Sequence, residues 1–82
     1  MMMLRVHFFA RARDLAGAEA LTVELADGAT VADLRRKLAK VCPALAGLLS
    51  RCALAVDKEF AEDALLLTRA GEVAVLPPVS GG

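Results

Sequence analysis

The chain has 82 residues, 57% of them hydrophobic, enough for one small folded domain and too apolar for a disordered chain. Ten basic residues balance ten acidic ones and aromatic residues make up only 4%, which argues against a basic field for nucleic acid. No apolar run approaches the length needed to span a bilayer, and Met1 to Arg5 leads into His7 and further arginines rather than into a signal segment. A cytoplasmic protein with no membrane partner is expected. So small a volume cannot hide this many apolar side chains, so some are expected on the surface as a partner site.

In chain order, Leu4, Val6 and Phe8 alternate with Arg5, His7 and Phe9, the period of a half-buried strand. Residues 11–16 form a short helical turn closed by Gly17. Leu21, Val23 and Leu25 alternate with Thr22, Glu24 and Ala26, a second strand antiparallel to the first. Asp27-Gly28 is a turn, and Thr30 is an N-cap with Asp33 at the third helical position, close to a capping box. Val31, Leu34, Leu38 and Val41 then make one apolar stripe, while Arg35, Arg36, Lys37 and Lys40 read as a solvated face. Pro43 ends this helix, and residues 44–49 add a short turn. Residues 53–56 read as a strand, Asp57-Lys58 as a turn with no other role, and Glu59-Phe60 as a short return. Ala70-Gly71 turns into a last strand over residues 72–76, which ends at Pro77-Pro78.

A hairpin, a crossing helix and further strands predict an α+β roll, a mixed sheet with one main helix packed on one face. In such a roll the last strand lies parallel to the first, mid-sheet, which is the β-grasp or ubiquitin-like arrangement. Residues 1–76 are the domain and residues 77–82 an extended tail. If Leu4, Val6, Phe8, Val73 and Val75 face the helix, then Phe9, Ala74 and Leu76 share the opposite surface, with Phe60 joining them across a neighbouring strand. That predicts an apolar patch beside the root of the tail, suited to a partner that also receives the tail.

The residues offer little for catalysis. There is one His, no serine elbow, no paired carboxylates at a recognisable spacing and no glycine-rich phosphate loop. His7, in a strand, reads as structural or surface. Cys42 and Cys52 stand ten positions apart without metal-ligand spacing and read as buried free thiols, so no metal site is expected. Arg11 and Arg13 follow closely on Phe9 and read either as plain surface charge or as partner contacts. The tail is different in kind. Pro77 and Pro78 stop the sheet ladder and lift the chain away, while Gly81 and Gly82 lack a β-carbon, thin enough to thread a narrow channel. The tip is a free Gly82 carboxylate.

The segment Phe8-Phe9-Ala10-Arg11-Ala12-Arg13-Asp14-Leu15-Ala16-Gly17 resembles the FFAxxRELxG opening of the small, sulfur-carrier subunit of molybdopterin synthase, the MoaD family. The ending from Gly71 to Gly82, with its Pro-Pro-Val-Ser-Gly-Gly tail, resembles that family's GDEVAxxPPVxGG ending. Length and element order agree, so the resemblance covers essentially the whole chain. One departure lies at Ala55-Val56-Asp57, where the family usually carries Ala-Val-Asn, which puts any partner contact through that amide in doubt.

The resemblance implies a carrier rather than an enzyme, with the catalytic residues on a large, MoaE-like subunit. The Gly82 carboxylate is adenylated by a ubiquitin-activating-like, MoeB-like enzyme that uses ATP, and sulfur from a persulfide donor then leaves a thiocarboxylate. The loaded tail delivers that sulfur to cyclic pyranopterin monophosphate for the dithiolene of the molybdenum cofactor. No cofactor bound by this chain itself is implied. Phe9, Leu76 and Phe60 are the expected docking residues, Arg13 a polar contact at their edge, and Pro77, Pro78 and Gly81 the tail elements that aim and thread it. The alternatives are a sulfur carrier for thiamine or tRNA thiolation, a ubiquitin-like protein modifier that joins Gly82 to a lysine, or a β-grasp interaction domain with an inert tail.

Overall fold

The computed structural model describes residues 1–67 and 71–78. Ala70 of the predicted turn and Gly81 and Gly82 of the tail lie outside them. Alternating side chains build the sheet. β1 (Met2–Phe8) and β2 (Ala20–Leu25) pair antiparallel, with Leu4 opposite Val23. β5 (Glu72–Leu76) runs parallel to β1, with Val6 opposite Val73, and antiparallel to β3 (Ala53–Val56), with Leu54 opposite Val75. β4 (Glu59–Ala61) closes the order β2-β1-β5-β3-β4. This mixed sheet is the expected β-grasp arrangement, with the last strand beside the first at its centre. Leu4, Val6, Phe8, Leu54, Val73 and Val75 are all buried on the helix side.

β1 is followed by α1 (Ala10–Ala16), which Gly17 ends in a left-handed conformation, φ 71°, with its N–H on the Arg13 carbonyl at 3.0 Å. Phe9 is not a strand residue, as the alternation suggested, but the N-cap of α1, with extended backbone (φ −123°, ψ 153°). The helix takes Phe9 because its carbonyl accepts from Ala12 and Arg13, which ends ladder pairing one residue earlier.

α2 (Val31–Val41) begins with a complete capping box. Asp33 N donates to Thr30 Oγ1 at 3.3 Å, and Thr30 N donates to Asp33 Oδ2 at 2.9 Å. That backbone bond, then the nearby Arg36 guanidinium, holds the Asp33 carboxyl below its ordinary range. The two N–H groups ahead of Asp33 are taken by a segment the sequence did not mark as structure. Val31 N donates to the Leu65 carbonyl and Ala32 N to that of Asp63, both at 3.0 Å, while Leu67 N returns a bond to Ala29 at 2.8 Å. Leu67 is thereby driven into the core, whereas Leu65 and Leu66 stay exposed.

Three expectations are corrected here. Val41 is 45% exposed rather than part of the stripe, because α2 stops there and Leu45 from the 3-10 turn Pro43–Leu45 fills the core instead. Arg35 is not on a solvated face: its side chain is largely buried, and it bonds the Leu49 and Cys52 carbonyls and the Asp63 carboxylate. Cys42 is only half-buried, since the chain turns there towards α3 (Ala46–Leu49); Cys52 is buried, and both thiols are free. No helix among the described residues is long and apolar enough to cross a membrane.

Candidate docking face and tail root

Among the described residues the face of the sheet opposite α2 carries no helix, so its character is set by the outward positions of each strand. Register aligns them into a row. His7 stands opposite Ala74, Ala74 opposite Ala55, and Ala55 opposite Phe60. Directly opposite residues share a face, so this row crosses four strands. A second row lies nearer the tail, where Leu76 stands opposite Ala53. Phe9, two residues beyond His7 on extended backbone, continues to the same side.

Phe9 is 47% exposed and Phe60 79% exposed, high values for aromatic side chains on so small a domain. Beside Phe9 lies a depression of about 420 Å³ lined also by His7, Ala55, Ala74, the Asp57-Lys58 turn and Glu72, and Phe60 stands outside its lining. Its floor lies low because Ala55 and Ala74 are small, which leaves room for a partner's side chain. Leu76 and Pro77 are half-buried and Pro78 is exposed, so β5 leads directly from this face into the tail.

The structure thus brings Phe9, Leu76 and Phe60 onto one face. Arg13 does not line the depression; it sits in the last turn of α1, with a guanidinium nitrogen 3.9 Å from Glu19. His7 and Ala55 are members that the sequence reading passed over. Alternation placed His7 outward and assigned Ala55 no face; the register joins both through Ala74.

Asp57 does more than turn the chain, contrary to expectation. Asp57 and Lys58 take left-handed backbone, φ 47° and 74°, as a two-residue hairpin turn requires. In addition, Asp57 Oδ1 accepts from Gly71 N at 3.3 Å and Glu72 N at 3.2 Å, tying the turn to the start of β5. An asparagine oxygen would make the same bonds, which accounts for how Asp serves where the MoaD family usually has Asn.

Burial pushes the Cys52 thiol up, against a smaller opposite pull from Arg35 and Arg51, so it stays protonated. Among the described residues no group of three His, Cys, Asp or Glu is placed to hold a metal ion.

The family model described as "ThiS family" matches residues 6–82. The chain belongs to the ThiS family. Within reach of this ThiS-family chain is the molybdopterin synthase sulfur carrier subunit of Chlamydomonas reinhardtii, 37% identical, covering 99% of this chain and 100% of the relative. SAMP1 from Haloferax volcanii has the same fold, at a TM-score of 0.87 and 26% identity over 99% of this chain and 100% of that one. A third likeness is to a chain in the complex of subunits 1 and 2 of the molybdopterin-converting factor from Helicobacter pylori, TM-score 0.71 and 26% identity, over 99% and 100% of the two chains. The resemblance carried by the two end motifs of this ThiS-family chain agrees with these relatives.

Proposed function

We propose that this chain is the sulfur carrier subunit of molybdopterin synthase. The observation that carries the reading is the placement of β5. Its outward residues, Ala74 and Leu76, belong to the exposed apolar face and run straight into Pro77-Pro78. Whatever protein covers the face is therefore positioned to receive the tail. The subunit complex among the structural relatives supports a MoaE-like large subunit as that protein.

In this reading residues 1–76 dock and residues 77–82 deliver. A MoeB-like enzyme adenylates the Gly82 carboxylate with ATP, which turns a poor electrophile into one with AMP as its leaving group. A persulfide displaces AMP, and thiol cleavage of the resulting acyl disulfide leaves the thiocarboxylate. Gly81 and Gly82 thread the large subunit's active site, where the catalytic side chains reside. This chain contributes sulfur, reach and a docking face, and works in the cytoplasm.

The test is intact mass after incubation with the activating enzyme, ATP and a sulfur donor. One oxygen-for-sulfur exchange, lost when Gly82 is deleted, is the expected result. An unchanged mass overturns the proposal. The likeness to SAMP1, a small archaeal modifier protein, favours a second reading as a modifier joined through Gly82 to lysine. Higher-mass adducts with other proteins in the same assay identify that case.

A further inference from the structure

The outer edge of β4 presents backbone groups that the sheet does not use. Asp57 N donates to the Glu72 carbonyl at 3.0 Å, so Asp57 and Glu72 form a bonded pair at the end of the β3–β5 ladder. Bonded pairs alternate along an antiparallel ladder, so Ala55 exchanges its bonds with Ala74. None is left for Phe60, which stands opposite Ala55 in β4, and the Phe60 N–H and C=O point away from the sheet. β4 is the last strand of the order, and no hydrogen bond to either group is present among the described residues. A groove of about 500 Å³, whose lining includes Glu59, Phe60, Ala61 and Leu65, borders the strand.

We propose that a second copy of this chain pairs with that edge, β4 against β4, antiparallel about a two-fold axis at Phe60. Phe60 then exchanges both backbone bonds with Phe60 of the second copy, and the two sheets become one. What this register sets face to face argues for that occupant. The two Phe60 rings stand directly opposite on the open face, an aromatic cross-strand pair. Two residues away, Lys58 comes opposite Glu62 of the second copy, and Glu62 opposite its Lys58, so unlike charges meet in both symmetry-related places. Glu59 comes opposite Ala61, which is uncharged. Asp57 comes opposite Asp63, but both carboxylates already have partners. Asp57 Oδ1 accepts from the Gly71 and Glu72 N–H groups, and Asp63 Oδ1 accepts from Arg35 at 2.8 Å. Ten basic residues against ten acidic ones leave no net charge to hold two copies apart.

A strand of three residues makes a small interface, so this pairing is weak and follows concentration. It also covers Phe60, which the docking face needs. A paired chain and a chain docked through Phe60 are therefore alternatives, and on this point alone the inference rests on the docking reading above. Binding of the large subunit draws the pairs apart.

Sedimentation equilibrium of the full chain over a wide concentration range reads the pairing, and the mass is expected to rise from monomer to dimer. Lys58→Glu and Glu62→Lys each set like charges opposite one another in both places, and each is expected to weaken pairing about tenfold. The double variant, Lys58→Glu with Glu62→Lys, exchanges the two charges and is expected to pair as the wild type does. Both side chains are exposed, so all three variants are expected to melt with the wild type. A wild type that stays monomeric throughout overturns the inference. So does a dimer indifferent to the single substitutions, or a double variant that fails to recover. Added large subunit is expected to convert the dimer into a mixed complex with one interface per carrier. If pairing passes the charge exchange yet persists inside that complex, the edge pairing stands and Phe60 leaves the docking face.

Discussion

Phe9 divides its work between backbone and side chain. Its carbonyl accepts the first N–H groups of α1, from Ala12 at 3.1 Å and Arg13 at 3.4 Å, while its ring stands half in water on the open face. The reversal from strand to helix falls on Ala10, whose φ of 50° is left-handed for a residue with a β-carbon. Nothing in the sequence around Ala10 announces that conformation, so the exit from β1 was read one residue late. Because the backbone cap survives any substitution of the ring, Phe9→Ala separates docking from folding. Truncation of a central aromatic anchor is expected to weaken binding to the large subunit by about 2 kcal/mol, roughly thirty-fold. Stability in urea is expected to fall by about 1 kcal/mol or less, since much of the ring is already solvated. A stability loss as large as the binding loss would place Phe9 in the core instead.

Arg35 joins three elements that hydrophobic periodicity treats separately. From α2 it donates to the carbonyls of Leu49, at the end of α3, and Cys52, just before β3, the latter at 2.9 Å. Its Nε donates to Asp63 Oδ1 at 2.8 Å, in the segment that caps α2. Arg35→Met preserves the apolar stem but strips two carbonyls of a charged donor, so a lower urea midpoint and a loss of about 2 kcal/mol are expected. Arg35→Lys is expected to recover less than half of that, because a single ammonium cannot fork between those acceptors. An Arg35→Met protein as stable as the wild type would mean that the basic face is solvated after all. The contrast shows what was legible at this scale. β3 and β5 were read to the residue, because their alternation and flanking turns are local signals. The capping segment from Asp63 to Leu67 was not, because three consecutive leucines show neither a period of two nor one of 3.6. Its structure comes from the unpaired N–H groups at the start of α2, which no local pattern records. The docking face falls between these cases: parity along single strands placed Phe9 and Leu76, Phe60 was added across a neighbouring strand, and His7 and Ala55 join them only through pairing between strands.

At the scale of the whole molecule, folding and the proposed delivery occupy different stretches of chain. The buried core runs from Leu4 to Val75, and the last strand ends at Leu76. Pro77 is half-buried and Pro78 exposed, and neither carries an N–H that the sheet could use. Of the described residues, removing 77–82 takes away only Pro77 and Pro78, neither of them in the buried core. The truncated protein is expected to melt within about 2 °C of the full chain, because a shift of several degrees requires roughly 1 kcal/mol in a domain of this size. It keeps Phe9 and Phe60, so it is expected to compete with the full chain for the large subunit. It also lacks Gly82, the residue proposed to carry sulfur. Added to a reconstituted synthase assay, it is expected to lower dithiolene formation in proportion to its share of the carrier pool, and excess full-length carrier is expected to restore it. Failure to inhibit, with the fold intact, would locate most of the docking energy in the tail rather than on the open face.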